Sequence, residues 1–221
     1  LFNVIRPTNG PSCLSSGSSY NQPDVVVALK DVFHKKCYLC ERDEIHDVEI
    51  EHFVPQAAGG DRMDWNNLFY SCSRCNGIKS NGHLNLLNCT DPSINVCREI
   101  RLKAFPTPDS DVLVEPQSDN PSEETLNTVE LLKLCYNNSS TALRGVSREA
   151  LMEQIFDGMC TFINARRLLK KPSTGRSNRQ DALETIEAML DVKHPFSAFW
   201  RWQYLDDNFL TTEYPELGSA F

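Results

Sequence analysis

Two Cys-x-x-Cys pairs, Cys37/Cys40 and Cys72/Cys75, bracket or adjoin the residues of this 221-residue chain whose types and spacing could do chemistry: Glu51-His52, Asn66-Asn67-Leu68 and Asn76. Two such pairs can supply four thiolates from tight turns, the donor set of a closed tetrahedral Zn²⁺ site. The 31 residues between Cys40 and Cys72 exceed the commonest zinc-ribbon spacing and leave room for a β-hairpin. The alternatives are two disulfides or four buried thiols. Nine cysteines, an odd count, and the lack of a secretory leader at the start of the sequence weigh against disulfides. The first expectation is therefore a structural zinc site. The polar residues could assemble a second site for hydrolysis.

The elements that must position them are short. Val48 to Phe53 alternates as a strand, with Ile50 and His52 on one face and Glu51 on the other. Pro55 ends it, Gly59-Gly60-Asp61 reads as a turn, and Leu68-Phe69-Tyr70 as the returning strand. Ser71 or Ser73 can cap a short helix carrying Arg74, Asn76 and Lys79, broken near Gly82.

The run C-x-x-C, E-H-x-x-P, G-G, N-L, C-x-x-C-N, K resembles the HNH nuclease superfamily, whose core is a ββα-metal fold. The resemblance implies His52 as the general base that deprotonates the attacking water. It implies Glu51 and Asn76 as ligands of a catalytic divalent cation, Asn67 as the residue steadying loop and base, and Lys79 as a basic residue near the phosphate. Many members carry Asp or His in place of Glu51 and His in place of Asn76, departures that bear on the metal.

Elementary chemistry is consistent with those roles. Imidazole is the side chain poised to generate a nucleophile near neutral pH, and a cation stabilises the charge that develops on phosphate and leaving oxygen. Oxygen ligands from Glu51 and Asn76 suit Mg²⁺ or Mn²⁺ better than Zn²⁺. An isolated Glu-His pair would be no more than a carboxylate beside a half-buried imidazole. His34, His46, His83 and His194 read as surface or packing residues, with His83 an outside candidate for phosphate contact.

The fold class expected is α+β, mainly α. A zinc-framed ββα-metal core (37–104) follows an N-terminal arm and helix (1–36), and a connector (105–122) leads to a helical C-terminal region (123–221). The Pro-, Gly- and Ser-rich residues 1–22 read as an extended arm over a neighbour. A helix from Pro23 to Lys36 follows, whose Lys30, Lys35 and Lys36 read as a solvated basic face. Cys13, Cys89, Cys97, Cys135 and Cys160 fall at no metal spacing and read as small core residues. Residues 105–123 carry four prolines around Val112-Leu113-Val114, an irregular connector with one short strand. Ser122 and Ser147 mark helix starts, a third helix runs from about Arg179 to Val192, and Pro195 opens an aromatic helix. Trp200 and Trp202 cannot share one face of that helix, so one of them could be exposed.

Net charge is −8, and residues 37–83 hold four Lys/Arg against eight Asp/Glu, a poor profile for unaided nucleic-acid binding. The exception is Gly158–Gln180, with six basic residues and no acid. Arg166, Arg167, Lys170 and Lys171 could follow a phosphate backbone, or could be a solvated helix end. No apolar run is long enough to span a bilayer, and free thiols suit a reducing cytoplasm.

The forms C-Y-x-C-E, I-E-H-F-x-P, D-W-N-N-L, V-L-V-E-P and E-T-L-N-T-V-E-L-L resemble, more narrowly, the HNH subunit of Septu-type bacterial anti-phage systems, some attached to retrons. That resemblance implies an ABC-type ATPase partner that gates while the HNH chain cuts nucleic acid. DNA is favoured because a ββα hook suits a groove of the duplex, although loops of structured RNA present similar phosphates. No Gly-rich loop ending in Gly-Lys-Ser/Thr occurs in this sequence. The alternative is a non-catalytic zinc module that recruits a partner through its helical region.

Overall fold

A computed structural model describes residues 1–17, 19–139 and 145–221. The chain runs α1 (Ser12–Ser15), α2 (Pro23–Val32), β1 (Val48–His52), β2 (Leu68–Cys72), α3 (Ser73–Lys79), α4 (Val96–Glu99), β3 (Ile100–Lys103) and β4 (Leu113–Pro116). Five further helices follow: α5 (Glu123–Asn137), α6 (Arg148–Lys170), α7 (Arg176–Leu190), α8 (Ser197–Leu205) and α9 (Asn208–Glu213). Two antiparallel two-stranded sheets, β1–β2 and β3–β4, sit among the helices, so the fold is α+β and mainly α. Among the described residues, no helix is long and apolar enough to cross a membrane.

The hairpin is in register from Val48↔Cys72 to His52↔Leu68, and α3 follows β2 without a break. The arm is tied down. Leu1, Phe2 and Val4 are buried. The Arg6 guanidinium donates to the carbonyls of Trp65 (2.7 Å) and Leu68 (2.9 Å) while lying over the Phe33, Trp65 and Phe69 rings. Desolvation lowers its pKa to about 10.

Helix α2 stops at Val32, short of the expected Lys36, because His34 and Lys35 adopt left-handed backbone (φ 53° and 64°). That bend turns the chain into the first cysteine knuckle. It also carries Lys36 into the interior, where its ammonium donates to the His194 carbonyl (2.8 Å) and pairs with Glu41 (3.3 Å). Lys36 thus belongs to no solvated face.

The Ser122 and Ser147 hydroxyls cap α5 and α6 by accepting from the Thr125 and Ala150 amides. Both tryptophans of α8 are buried. Trp200 stacks with Phe162 and lies against Gly158 of α6, whereas the Trp202 indole donates to the Ile100 carbonyl of β3 (2.8 Å). Helix α8 has neighbours on opposite sides, so two residues that cannot share a face both find cover.

Candidate active site

Cys37 and Cys40 lie on the tight turn after α2, which is closed by the Glu41 amide donating to the Cys37 carbonyl (2.9 Å). The Tyr38 amide donates to the Tyr70 carbonyl (3.0 Å) and so docks this turn on β2. Cys72 ends β2 and Cys75 lies in the first turn of α3. All four cysteines are buried, and their sulfurs lie within 4.8 Å of one another. The Cys40 and Cys72 sulfurs are 3.9 Å apart, close to the ~3.8 Å edge of a tetrahedron built from 2.3 Å Zn–S bonds. All nine cysteines are free thiols. Four sulfur donors with no open position fit a closed structural zinc site.

Neither Ser71 nor Ser73 caps α3. Cys72 occupies the cap position, and the acceptor comes from outside the helix: the Asp47 carboxylate takes the Ser73 amide (3.1 Å) and hydroxyl. The same carboxylate pairs with Arg42 (2.8 Å). Cys135, a core residue by its spacing, is fully buried close to Cys75. Arg74 donates to the Cys135 (3.2 Å) and Asn138 carbonyls. Helix α5 therefore abuts the cysteine cluster. Only packing could reveal that, since 59 residues separate Cys75 from Cys135.

Glu49 and Glu51, two apart on β1, share one face of the strand, and both meet α3. The Asn76 amide contacts the Glu49 carboxylate, and the Lys79 ammonium pairs with Glu51 at 2.6 Å. Lys79 has no exposed surface and also donates to the His52 carbonyl (2.9 Å). Burial raises the Glu51 pKa, Lys79 lowers it, and Glu49 adds to the rise.

His52, at the end of β1, packs edge-on against Tyr20 with ring centroids 4.7 Å apart. Its Nε2 is 3.3 Å from the Arg62 carbonyl. A carbonyl can only accept, so this bond puts the proton on Nε2 and leaves Nδ1 as the basic nitrogen. Desolvation lowers the His52 pKa below its ordinary 6.5, and Lys79 and Arg62 add to the shift against the Arg62 carbonyl bond and Asp61. The shift favours the neutral ring.

Asn67 supports that ring from a distance. Its Oδ1 accepts from the Val54 amide (2.7 Å), while Nδ2 donates to the Val54 and Asp61 carbonyls (both 3.0 Å). These bonds close the loop that presents the Arg62 carbonyl. Gly60 belongs to the same clamp, because a Cβ there would fall 1.9 Å from the Val54 carbonyl oxygen.

The cysteine frame, hairpin and following helix are the ββα-metal arrangement, and comparison with known proteins agrees. Residues 37–86 match the HNH endonuclease family. That stretch is an HNH endonuclease domain. The chain is also similar to the Septu protein PtuB of Bacillus thuringiensis, 37% identical over 71 residues. The match covers 30% of this chain and 28% of that protein. No solved structure gives a significant match.

The basic segment lies away from the HNH domain. Gly145, just before α6, sits against Asp47 and Ser73 at the start of α3. Helix α6 has 23 residues, so its far end is about 33 Å from there at 1.5 Å per residue. Arg166 is paired with Asp207 (2.6 Å) and lies over Phe209. Arg167 contacts Asn164 (3.4 Å), the Lys170 ammonium lies 5.7 Å from the Phe209 ring centre, and Lys171 is exposed. Arg179 caps the end of α6 by donating to the Leu169 and Lys171 carbonyls.

Proposed function

We propose that this chain is a metal-dependent endonuclease that hydrolyses phosphodiester bonds, in DNA rather than RNA. In this reading it is the cutting subunit of an ATPase-gated bacterial anti-phage complex. The observation that carries the reading is the state of His52. Its Nε2 donates to a carbonyl held by the Asn67-clamped loop, leaving Nδ1 to take a proton from water. Such a bond fixes the tautomer and the aim of the ring, as a general base requires.

Asn76 and the β1 carboxylates offer oxygen donors that fit Mg²⁺ or Mn²⁺. When bound, the cation supplies charge stabilisation at the phosphate and the leaving oxygen. Lys79, enclosed by Glu51 and the His52 carbonyl, holds the end of β1 in place behind the base. The four thiolates carry Zn²⁺, whose work is structural.

Substrate grip is divided in this proposal. Arg167, Lys170 and Lys171 follow the backbone about 33 Å from α3, a span of about ten base pairs of duplex, with Arg166 held in place by Asp207. The net charge of −8 leaves a partner to supply the remaining cationic surface. The resemblance to Septu-type systems supports an ABC-type ATPase as that partner, with both at work in the cytoplasm. One observation favours the alternative, a zinc module that only recruits: Glu51 and Lys79 neutralise each other away from solvent.

The deciding experiment incubates the co-purified complex with plasmid DNA, or with total RNA, and Mg²⁺. Cleavage that disappears in His52→Ala while zinc content is retained is the expected result. Full biological activity in His52→Ala would establish the recruiting module instead.

A further inference from the structure

A cavity of about 740 Å³ opens beside the hairpin. It is lined by Lys30 of α2, Lys35 of the bend that follows and Lys193 of the turn before α8, with Tyr70 of β2 at its floor. We propose that this cavity binds a nucleotide phosphate, supplied by the strand that His52 attacks, at a position flanking the scissile bond. The proposal deepens the nuclease reading and rests on it only for the source of that phosphate.

Three ammonium groups stand there uncompensated. All three lysines are exposed, and among the described residues none of them is in an ion pair. Asp43 and Glu44 belong to the same lining yet close on no lysine. Cations in this state bind phosphate with release of counterions. The two carboxylates suit the rest of a nucleotide, since they accept from the amino groups of bases. The local field is felt at His34, which also lines the cavity: after desolvation, Lys36 and Lys193 lower its pKa against Asp191.

Tyr70 adds an unmet donor. Only 2% of the residue is exposed, and among the described residues its hydroxyl has no hydrogen-bond partner. A buried hydroxyl of this kind calls for an acceptor, and a phosphate oxygen is one. Backbone strain points to the same place. His34, Lys35 and Glu44 have left-handed φ of 53°, 64° and 48°, a conformation that glycine adopts at no steric cost. The chain keeps side chains at all three positions, and all three line this one space.

The hairpin sets the cavity's place relative to the base. His52 pairs with Leu68 and Ile50 with Tyr70, so Tyr70 shares the sheet face of His52 as a diagonal neighbour about 7–8 Å away. Helix α2 spans the rest. Tyr20, just ahead of it, packs on the His52 ring, and Lys30 stands near its far end, about 15 Å along. A strand whose scissile phosphate meets His52 therefore carries a neighbouring phosphate to Tyr70 and the lysines.

Fluorescence anisotropy of a labelled DNA duplex with the co-purified, zinc-loaded complex, without Mg²⁺, tests this apart from cleavage. Lys30→Gln/Lys193→Gln should weaken duplex binding about tenfold and make the slope of log affinity against log salt shallower by about two. Tyr70→Phe should weaken binding about threefold with the slope unchanged. Lys133→Gln, which removes an exposed charge on α5 outside the cavity, should change neither. Wild-type affinity and slope in the double variant would overturn the proposal. Titration with ATP separates the sources: ATP binding lost in the double variant, with duplex binding intact, would overturn the assignment to the strand. Duplex affinity lost in the double variant, from a wild-type complex that cuts neither plasmid nor RNA with Mg²⁺, would sink the nuclease reading and leave the phosphate site standing.

Discussion

The HNH domain and the helical region bury different things. Of the described residues between 37 and 86, nine buried side chains are polar or charged: Glu41, Arg42, Glu51, His52, Asn67, Ser71, Ser73, Arg74 and Lys79. From residue 123 onward there are four, namely Thr125, Thr128, Ser197 and Arg201, amid the apolar packing of α5 to α9. The helical region is held by area removed from water. The HNH domain, too short to build such a core, is held by a thiolate cluster and by directed polar contacts. Those contacts fix side chains to within the tolerance that chemistry requires, and each becomes costly if its partner is removed.

Metal removal tests the contrast most severely. Cys75→Ser, or strong chelation, should abolish amide protection across 37–86 while protection in α6 to α8 persists, because thiolate–zinc binding is the folding free energy of such sites. Hydrogen exchange with mass spectrometry reads this. Uniform loss of protection would show that the two regions form one cooperative unit.

Matched single substitutions sharpen it. Lys79→Met leaves the Glu51 carboxylate buried without its cation and should cost about 3–5 kcal/mol. Trp200→Ala, in the apolar region, should cost about the same by cavity formation. The two differ in reach: denaturant titration should register both, whereas the NMR shifts of the His52 ring should move only with Lys79→Met.

A smaller effect follows from pH. The folded-state pKa of His52 lies below its ordinary 6.5, so folding is favoured by the neutral ring. That contribution is present above pH 6.5 and is lost as pH falls through the folded value, where the unfolded chain binds more protons. Asn67→Ala, which loosens the loop bearing the Arg62 carbonyl, should move the His52 pKa by a fraction of a unit. Imidazole NMR titration measures it.

The smallest change belongs to the tip of α6. Removing Lys171 should reduce the slope of log affinity against log salt for duplex DNA by about one. Thermal stability should stay the same, since its side chain is exposed.

How much of this could be read in advance varied with the residue. Cys37, Cys40, Cys72 and Cys75 announce themselves because a pair of donors on one tight turn needs only local spacing. Strands around Glu51 and Phe69, and the starts at Ser122 and Ser147, are legible for the same reason: alternation and capping act within a few residues. The Glu49–Asn76 contact was not legible, since it depends on how α3 lies across β1. Neither was Arg6 reaching Leu68, Lys36 entering the interior, or Asp47 capping α3 in place of a serine.

Sequence alone therefore determined which donors and bases the chain owns and the short elements that carry them, because covalent neighbours and backbone preferences act locally. Tertiary structure alone decided which carboxylate meets which partner, which histidine nitrogen is left bare, and how far the basic tip stands from the hairpin. Those are matters of distance between segments remote along the chain, and only close packing sets such distances.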